Sequence, residues 1–303
     1  MKSIFVGPDG VRAGWLFALF LVFAQLFAKA LFWGVGRLGY QEMEGWTAWG
    51  FIVEGAISAV AGIAAAALLA RFEKRTLTQF GLRPARGGQL FAEGVIWGLA
   101  GSVAIIPMIA ALGGAKINGL ALHGAALWKS AAVWWVAMML LGLSEEFLFR
   151  GYPLVTLARG MGFWPAALLL SALFGGVHYF LKPMETWIDG VSVGLYGLFW
   201  CLTFRRTGSL WFAIGFHAMS DYADMVIFAE PNSGNKGLPV PGHLLDVSFS
   251  GPSWLTGGPC GTEASALVFP ILAALFFFFH RRFPRDSAPE LTRGGSDARA
   301  AEA

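Results

Sequence analysis

Charge is what this sequence has least of. Only 14% of its 303 residues are Asp, Glu, Lys or Arg, against roughly 25% in ordinary soluble domains. A surface solvated on all sides needs more. Cysteine is scarce as well: Cys201 falls in an apolar run and Cys260 in a loop, so neither a disulfide framework nor a cysteine metal site is expected. There are five histidines, and none belongs to the His-Glu-x-x-His pair of a helical zinc protease. A signal-peptide pattern is also missing. The run at 15–35 is too long for a signal core, and no small-residue cleavage site precedes polar sequence, so it reads as a retained span. No internal repeat is evident.

Apolar sequence fills the space. Hydrophobic residues make up 56% of the chain and the mean hydropathy is +0.60. Apolar runs near 20 residues long suit the hydrocarbon thickness of a bilayer. The expected fold is all-α: a polytopic helical membrane protein with about eight transmembrane helices and an intramembrane polar cavity. Residues 1–285 are expected to form one membrane domain, and 286–303 a disordered tail. The spans fall at about 15–36, 51–69, 91–112, 126–143, 163–181, 187–204, 209–228 and 264–280. The fourth continues in helical pattern to Arg159, with Pro153 as a kink. Residues 76–82 suit a short interfacial helix. Trp46 and Trp49 suit the membrane interface, after a loop carrying Glu42 and Glu44. A long Gly/Pro/Ser-rich loop covers 230–263.

The formal charge is +3 and the pI about 9.0. Basic residues cluster at Lys2 and Arg12, at 71–86, at Arg150 and Arg159, at Arg205 and Arg206, and at Arg281, Arg282 and Arg285. The alternate loops hold Arg37, Lys116, Lys182 and Lys236 singly. This is the positive-inside bias of a membrane protein with both termini in the cytoplasm, and no nucleic-acid partner is expected. The sequence has a bacterial cast, which places it in a bacterial inner (plasma) membrane.

Against that background Glu145, Glu146 and Arg150 need a reason, because a charge inside a bilayer costs a few kcal/mol on insertion scales. On a helix Glu146 and Arg150 are i,i+4 neighbours and can pair. Glu145 is turned about 100° away and has no local counter-ion. A carboxylate of that kind, held away from bulk water, suits a base that takes a proton from water. The plain alternative is two glutamates pairing with loop arginines at a helix end. His178 ends the fifth span, one turn after Phe174. Its plain alternative is a hydrogen-bonded packing residue. His217 and Asp221 are i,i+4 in the seventh span, with Asp224 a turn on. A carboxylate so placed can orient the imidazole or share a metal with it, or can merely clasp two helices. The Gly190, Gly194 and Gly197 stripe reads as helix packing.

Depth links these groups. Glu145 lies about 21 Å before the turn at 160–162, and His178 about 24 Å after it, at 1.5 Å per helical residue. A helical hairpin thus brings them level. His217 is about 14 Å from its own turn. Three separate helices then offer Glu145, His178 and the His217/Asp221 pair to one cavity.

Glu145-Glu146-x-x-x-Arg150, Phe174-x-x-x-His178 and His217-x-x-x-Asp221 resemble the three signature motifs of the CPBP intramembrane proteases, the family of the CAAX prenyl endopeptidase. Arg150-Gly151-Tyr152, and Arg206 to Trp211 leading into Gly215-Phe216-His217-Ala218, match as well. The resemblance covers about 126–228, with Phe80-Gly81-Leu82-Arg83 similar to a pre-core segment. It implies an endopeptidase acting on a membrane protein or peptide. Glu145, with His178, would activate a water. His217 and Asp221 would position the peptide, stabilise the oxyanion or bind a metal. Glu146 and Arg150 would support the helix. Asp221 departs from the asparagine of the best-known members, and a carboxylate is a poor oxyanion donor. The family is described both as metalloproteases and as glutamate-type proteases. The resemblance therefore leaves the cofactor open between none and zinc held by Glu145, His178, His217 and Asp221. Two other classes compete. One is a non-catalytic partner-binding or bacteriocin-immunity protein on this scaffold, which has no need to keep the three motifs together. The other is a proton-coupled transporter, for which repeat symmetry is expected.

Overall fold

A computed structural model describes residues 2–7, 10–41 and 46–284. Glu42, Glu44, Arg285 and the tail expected to be disordered lie outside the described residues. The architecture is all-α and polytopic. Helices α1 (Ala13–Arg37), α2 (Ala48–Glu73), α3 (Gly87–Ala111), α4 (Gly124–Glu146), α5 (Tyr152–Met161), α6 (Phe163–Leu181), α7 (Trp187–Thr207), α8 (Trp211–Asp221) and α9 (Val268–Arg282) carry the fold. Among the described residues six helical segments are long and apolar enough to cross a membrane, with α4 and α5 counted as one 38-residue span. The chain is thus an integral membrane protein. The seventh and eighth expected spans are shorter. Helix α8 has 11 residues before a 6-residue π-helical turn, and α9 has 15.

Local sequence explains the helix ends. The Thr47 hydroxyl accepts the Gly50 N–H at 3.1 Å and Thr186 accepts that of Asp189 at 3.3 Å, which satisfies donors that open helices leave orphaned. At the other end of α7, Gly208 takes the left-handed φ of 67° that closes helices without a Cβ penalty.

Glycines set how the helices pack. A Cβ on Gly94 or Gly98 of α3 would meet the carbonyl oxygens of Phe212 and Phe216 on α8, and one on Gly215 would meet that of Phe91. From the other side, a Cβ on Gly142 of α4 would lie 3.1 Å from the Ala218 nitrogen. Helix α8 is therefore wedged between α3 and α4 at backbone contact, the close approach that small residues permit in membranes. The glycine stripe of α7 packs as expected: Gly175 of α6 sits against the Gly190 carbonyl, and Gly197 leaves room for the Arg150 guanidinium.

Four expectations are corrected. Residues 77–80 form a single 3₁₀ turn whose Phe80 is fully buried against Tyr152 (ring centroids 4.9 Å), because an aromatic gains more in the core than at an interface. Trp46 turns inward onto Phe51 at 5.0 Å, whereas Trp49 stays exposed. Arg150 is buried and paired with Glu146, so it contributes nothing to the loop charge. The 230–263 segment is structured and folds back. Its strand β2 (Leu245–Phe249) pairs antiparallel with β1 (Ala115–Leu120), and the Trp134 indole N–H ties it to the Pro241 carbonyl at 2.9 Å.

Candidate active site

The stretch 144–151 is where α4 changes pitch. Regular α-helix ends at Glu146, and Phe147–Gly151 form a π-helical turn before α5. Pro153 accounts for it. Proline lacks an N–H and its ring collides with the carbonyl four residues back, and a widened turn absorbs both while the chain continues. Such turns are frequent at functional sites. The expected kink thus takes the form of a bulge just before the proline.

This turn fixes the buried pair. Arg150 Nη1 donates to Glu146 Oε1 at 3.0 Å, with both side chains 0% exposed. The guanidinium also lies over the rings of Phe174 (4.2 Å), Trp200 (5.1 Å) and Phe149 (5.5 Å). One carboxylate and three aromatic faces offset part of the cost of burying this cation, whose Nε and Nη2 have no hydrogen-bond partner.

Glu146 has a second partner. The same Oε1 accepts from His217 Nδ1 at 2.9 Å. With Nδ1 committed, Nε2 faces Glu145 Oε2 at 3.7 Å and Asp221 Oδ2 at 3.5 Å. Trp200 stacks on the imidazole, with centroids 4.3 Å apart and planes 9° apart. His217 is thereby fixed in plane and direction, as histidines at working centres are when a carboxylate holds the second nitrogen. On α6, His178 Nδ1 donates to the Phe174 carbonyl at 2.9 Å, which frees its Nε2. Phe174 touches both histidines, with ring centroids 4.6 Å from His178 and 6.3 Å from His217.

Glu145, His178, His217 and Asp221 line one cavity of about 140 Å³. The volume exceeds what a single water needs. Asp224 lines it too. The folded-back loop closes it with Glu230, Asn232, Cys260 and Glu263, and Lys182 reaches it from the end of α6. Burial pushes the carboxyls of Glu230 and Glu263 up to about 7, against the pull of the Thr262 N–H on the first and of Lys182 on the second.

Sequence reasoning missed Trp200, Glu230 and Glu263. Glu230 and Glu263 carried a signal, since they bracket the loop at the two ends nearest the spans. Trp200 carried none. For zinc, the four candidate ligands share the cavity, but among the described residues no three His, Cys, Asp or Glu side chains are grouped to hold a metal ion. The imidazole edge nearest the carboxylates points at them directly.

Residues 127–223 match the family model described as Rce1-like, type II CAAX prenyl endopeptidase. The match covers about a third of the chain, and it contains all three motifs on which the resemblance rests. No curated protein and no solved structure matches the chain. Over that third the chain is similar to the CAAX-type prenyl endopeptidases.

Proposed function

We propose that the protein hydrolyses a peptide bond of a membrane-associated protein or peptide, with a water activated by Glu145. The carrying observation is that Glu145, His178 and His217 come from three separate helices and line one cavity. A packing role asks for no such meeting, and polar groups within spans are expected to face a common aqueous space.

The chemistry follows from what each group has free. Glu145 takes a proton as the water oxygen attacks the scissile carbonyl, and His178, through its open Nε2, shares in holding that water. Carrying a proton on each ring nitrogen, His217 directs Nε2–H at the developing oxyanion and stabilises it by a hydrogen bond. Asp221, a poor donor, orients that imidazole from the adjacent turn. Collapse of the tetrahedral intermediate breaks the C–N bond, and the proton held by Glu145 passes to the leaving amine. Glu146 and Arg150 hold His217 and stay out of the reaction. We place the protein in a bacterial inner membrane from the cast of its sequence, and both termini in the cytoplasm on the strength of the basic loops.

The test is cleavage of fluorogenic peptides by protein reconstituted in nanodiscs, with prenylated CAAX, unprenylated and membrane-spanning peptides compared. Glu145→Gln and His178→Ala should each abolish turnover, with thermal unfolding unchanged to within a few degrees. Wild-type rates in both variants would sink the site.

A further inference from the structure

The lining of the cavity is acidic beyond what the chemistry uses. Five carboxylates line the space: Glu145, Asp221, Asp224, Glu230 and Glu263. Among the described residues that line the cavity, Lys182 is the one permanently charged cation. Buried charges are ordinarily matched one for one.

Two of these carboxylates are held with an oxygen to spare. Glu230 is 3% exposed, its Oε2 accepts the Thr262 N–H at 2.8 Å, and its Oε1 has no hydrogen-bond partner. Asp224 Oδ1 is likewise buried without one. An orphaned buried acceptor is costly, and a ligand that donates hydrogen bonds recovers that cost. An independent group agrees. Trp200 is 4% exposed, and its Nε1–H also lacks a partner while the ring lines this wall. The wall continues into a narrow cleft of about 20 Å³ beside Ser102, Asp224 and Glu263, room for about one water.

We infer that the wall formed by Asp224, Glu230 and Glu263 is a subsite for a basic side chain of the polypeptide substrate, a lysine or an arginine. An ammonium or guanidinium supplies both the missing charge and several donors, and charge-assisted hydrogen bonds are the strong ones. A divalent ion is the poorer occupant, because no three acidic, cysteine or histidine side chains are grouped around one point among the described residues. The same field disfavours a free terminal carboxylate against this wall. The assignment rests on the peptidase reading for its substrate class, but its binding test does not depend on turnover.

The test uses full-length protein in nanodiscs with EDTA present. Dansylated neutral peptide amides, each with lysine, arginine or norleucine placed at successive positions, are bound to wild type and followed by energy transfer from tryptophan. At one position the basic residue should bind about tenfold tighter than norleucine, which is 1.4 kcal/mol. The advantage should largely vanish in Glu230→Gln/Glu263→Gln. Should that double variant unfold, Asp224→Asn and Glu263→Gln separately should each lower the ratio. No position favouring a basic residue, or a ratio unchanged by every variant, overturns the subsite. A basic preference in a protein that cleaves no peptide would keep the subsite and reject the peptidase reading. Cleavage without that preference would do the reverse.

Discussion

Trp200 lies flat on His217, 4.3 Å between centroids and 9° between planes, while Glu146 holds the imidazole edge at 2.9 Å. One contact sets the plane of the ring and the other its rotation within that plane. Loss of the stacking face frees the plane while leaving every charged group in place. Trp200→Leu is expected to lower kcat about 10–100-fold with a smaller change in KM, and Trp200→Phe to recover part of it. Equal rates in all three proteins would show that the indole only fills space.

Arg150 is the cation on which this arrangement turns. Removing one partner of a buried pair leaves an uncompensated charge and costs about 3–5 kcal/mol. Arg150→Met should therefore destabilise strongly and abolish activity together. Arg150→Lys keeps the charge but loses the planar stacking over Phe174 at 4.2 Å, for which about 1–2 kcal/mol is reasonable. Thermal unfolding in detergent should rank wild type above Lys above Met, and any other order contradicts the cage.

Much of this was legible in the sequence because it is local. Hydropathy marks the spans, and the i,i+4 pairs Glu146/Arg150 and His217/Asp221 can be read from the helical repeat alone. The Glu146 contact to His217 could not be read, since it depends on the register between α4 and α8. Trp200 was invisible for the same reason: one aromatic among many in an apolar helix. Segment 230–263 misled in another way. Its glycines and prolines signal a loop, yet pairing of Leu245–Phe249 with Ala115–Leu120 carries it over the site, and neither short strand has a pattern that names its distant partner.

The height of His217 relative to Glu145 depends on glycine rather than on either residue. A methyl group on Gly94 would overlap the Phe212 carbonyl and force α3 away from α8. Gly94→Ala is expected to cost about 1–3 kcal/mol as an overpacked contact and to cut kcat/KM at least about tenfold, because a shift near 1 Å suffices for that. Gly88→Ala lies on the same helix with open space around it and should be silent in both measurements.

Dependence on metal can be separated from the charge chemistry directly. In the proposed mechanism proton transfer falls to Glu145 and oxyanion stabilisation to His217, whose Nε2 faces Glu145 and Asp221 at 3.7 and 3.5 Å. Dialysis against EDTA should leave cleavage within about twofold of the untreated rate, and zinc added back should not raise it; metal assistance is worth several kcal/mol where it operates. A loss on chelation that zinc restores would move Glu145, His178, His217 and Asp221 from acid–base and hydrogen-bonding roles to ligation.

The loop over the cavity should respond to pH in a stated direction. Burial raises Glu230 and Glu263 from the ordinary 4.5 to about 7, so the folded protein keeps protons that the unfolded chain releases. Between about pH 4.5 and 7 the native state binds more protons, and stability then falls as pH rises. It is fully present below 4.5 and lowest above 7. The unfolding temperature should accordingly drop by several degrees from pH 5 to pH 8. Glu230→Gln/Glu263→Gln, which removes both titrations, should flatten that slope, and the variant should be relatively more stable at pH 8. A wild-type curve that is flat, or rises, across this range would mean that the two carboxyls are already compensated where they lie.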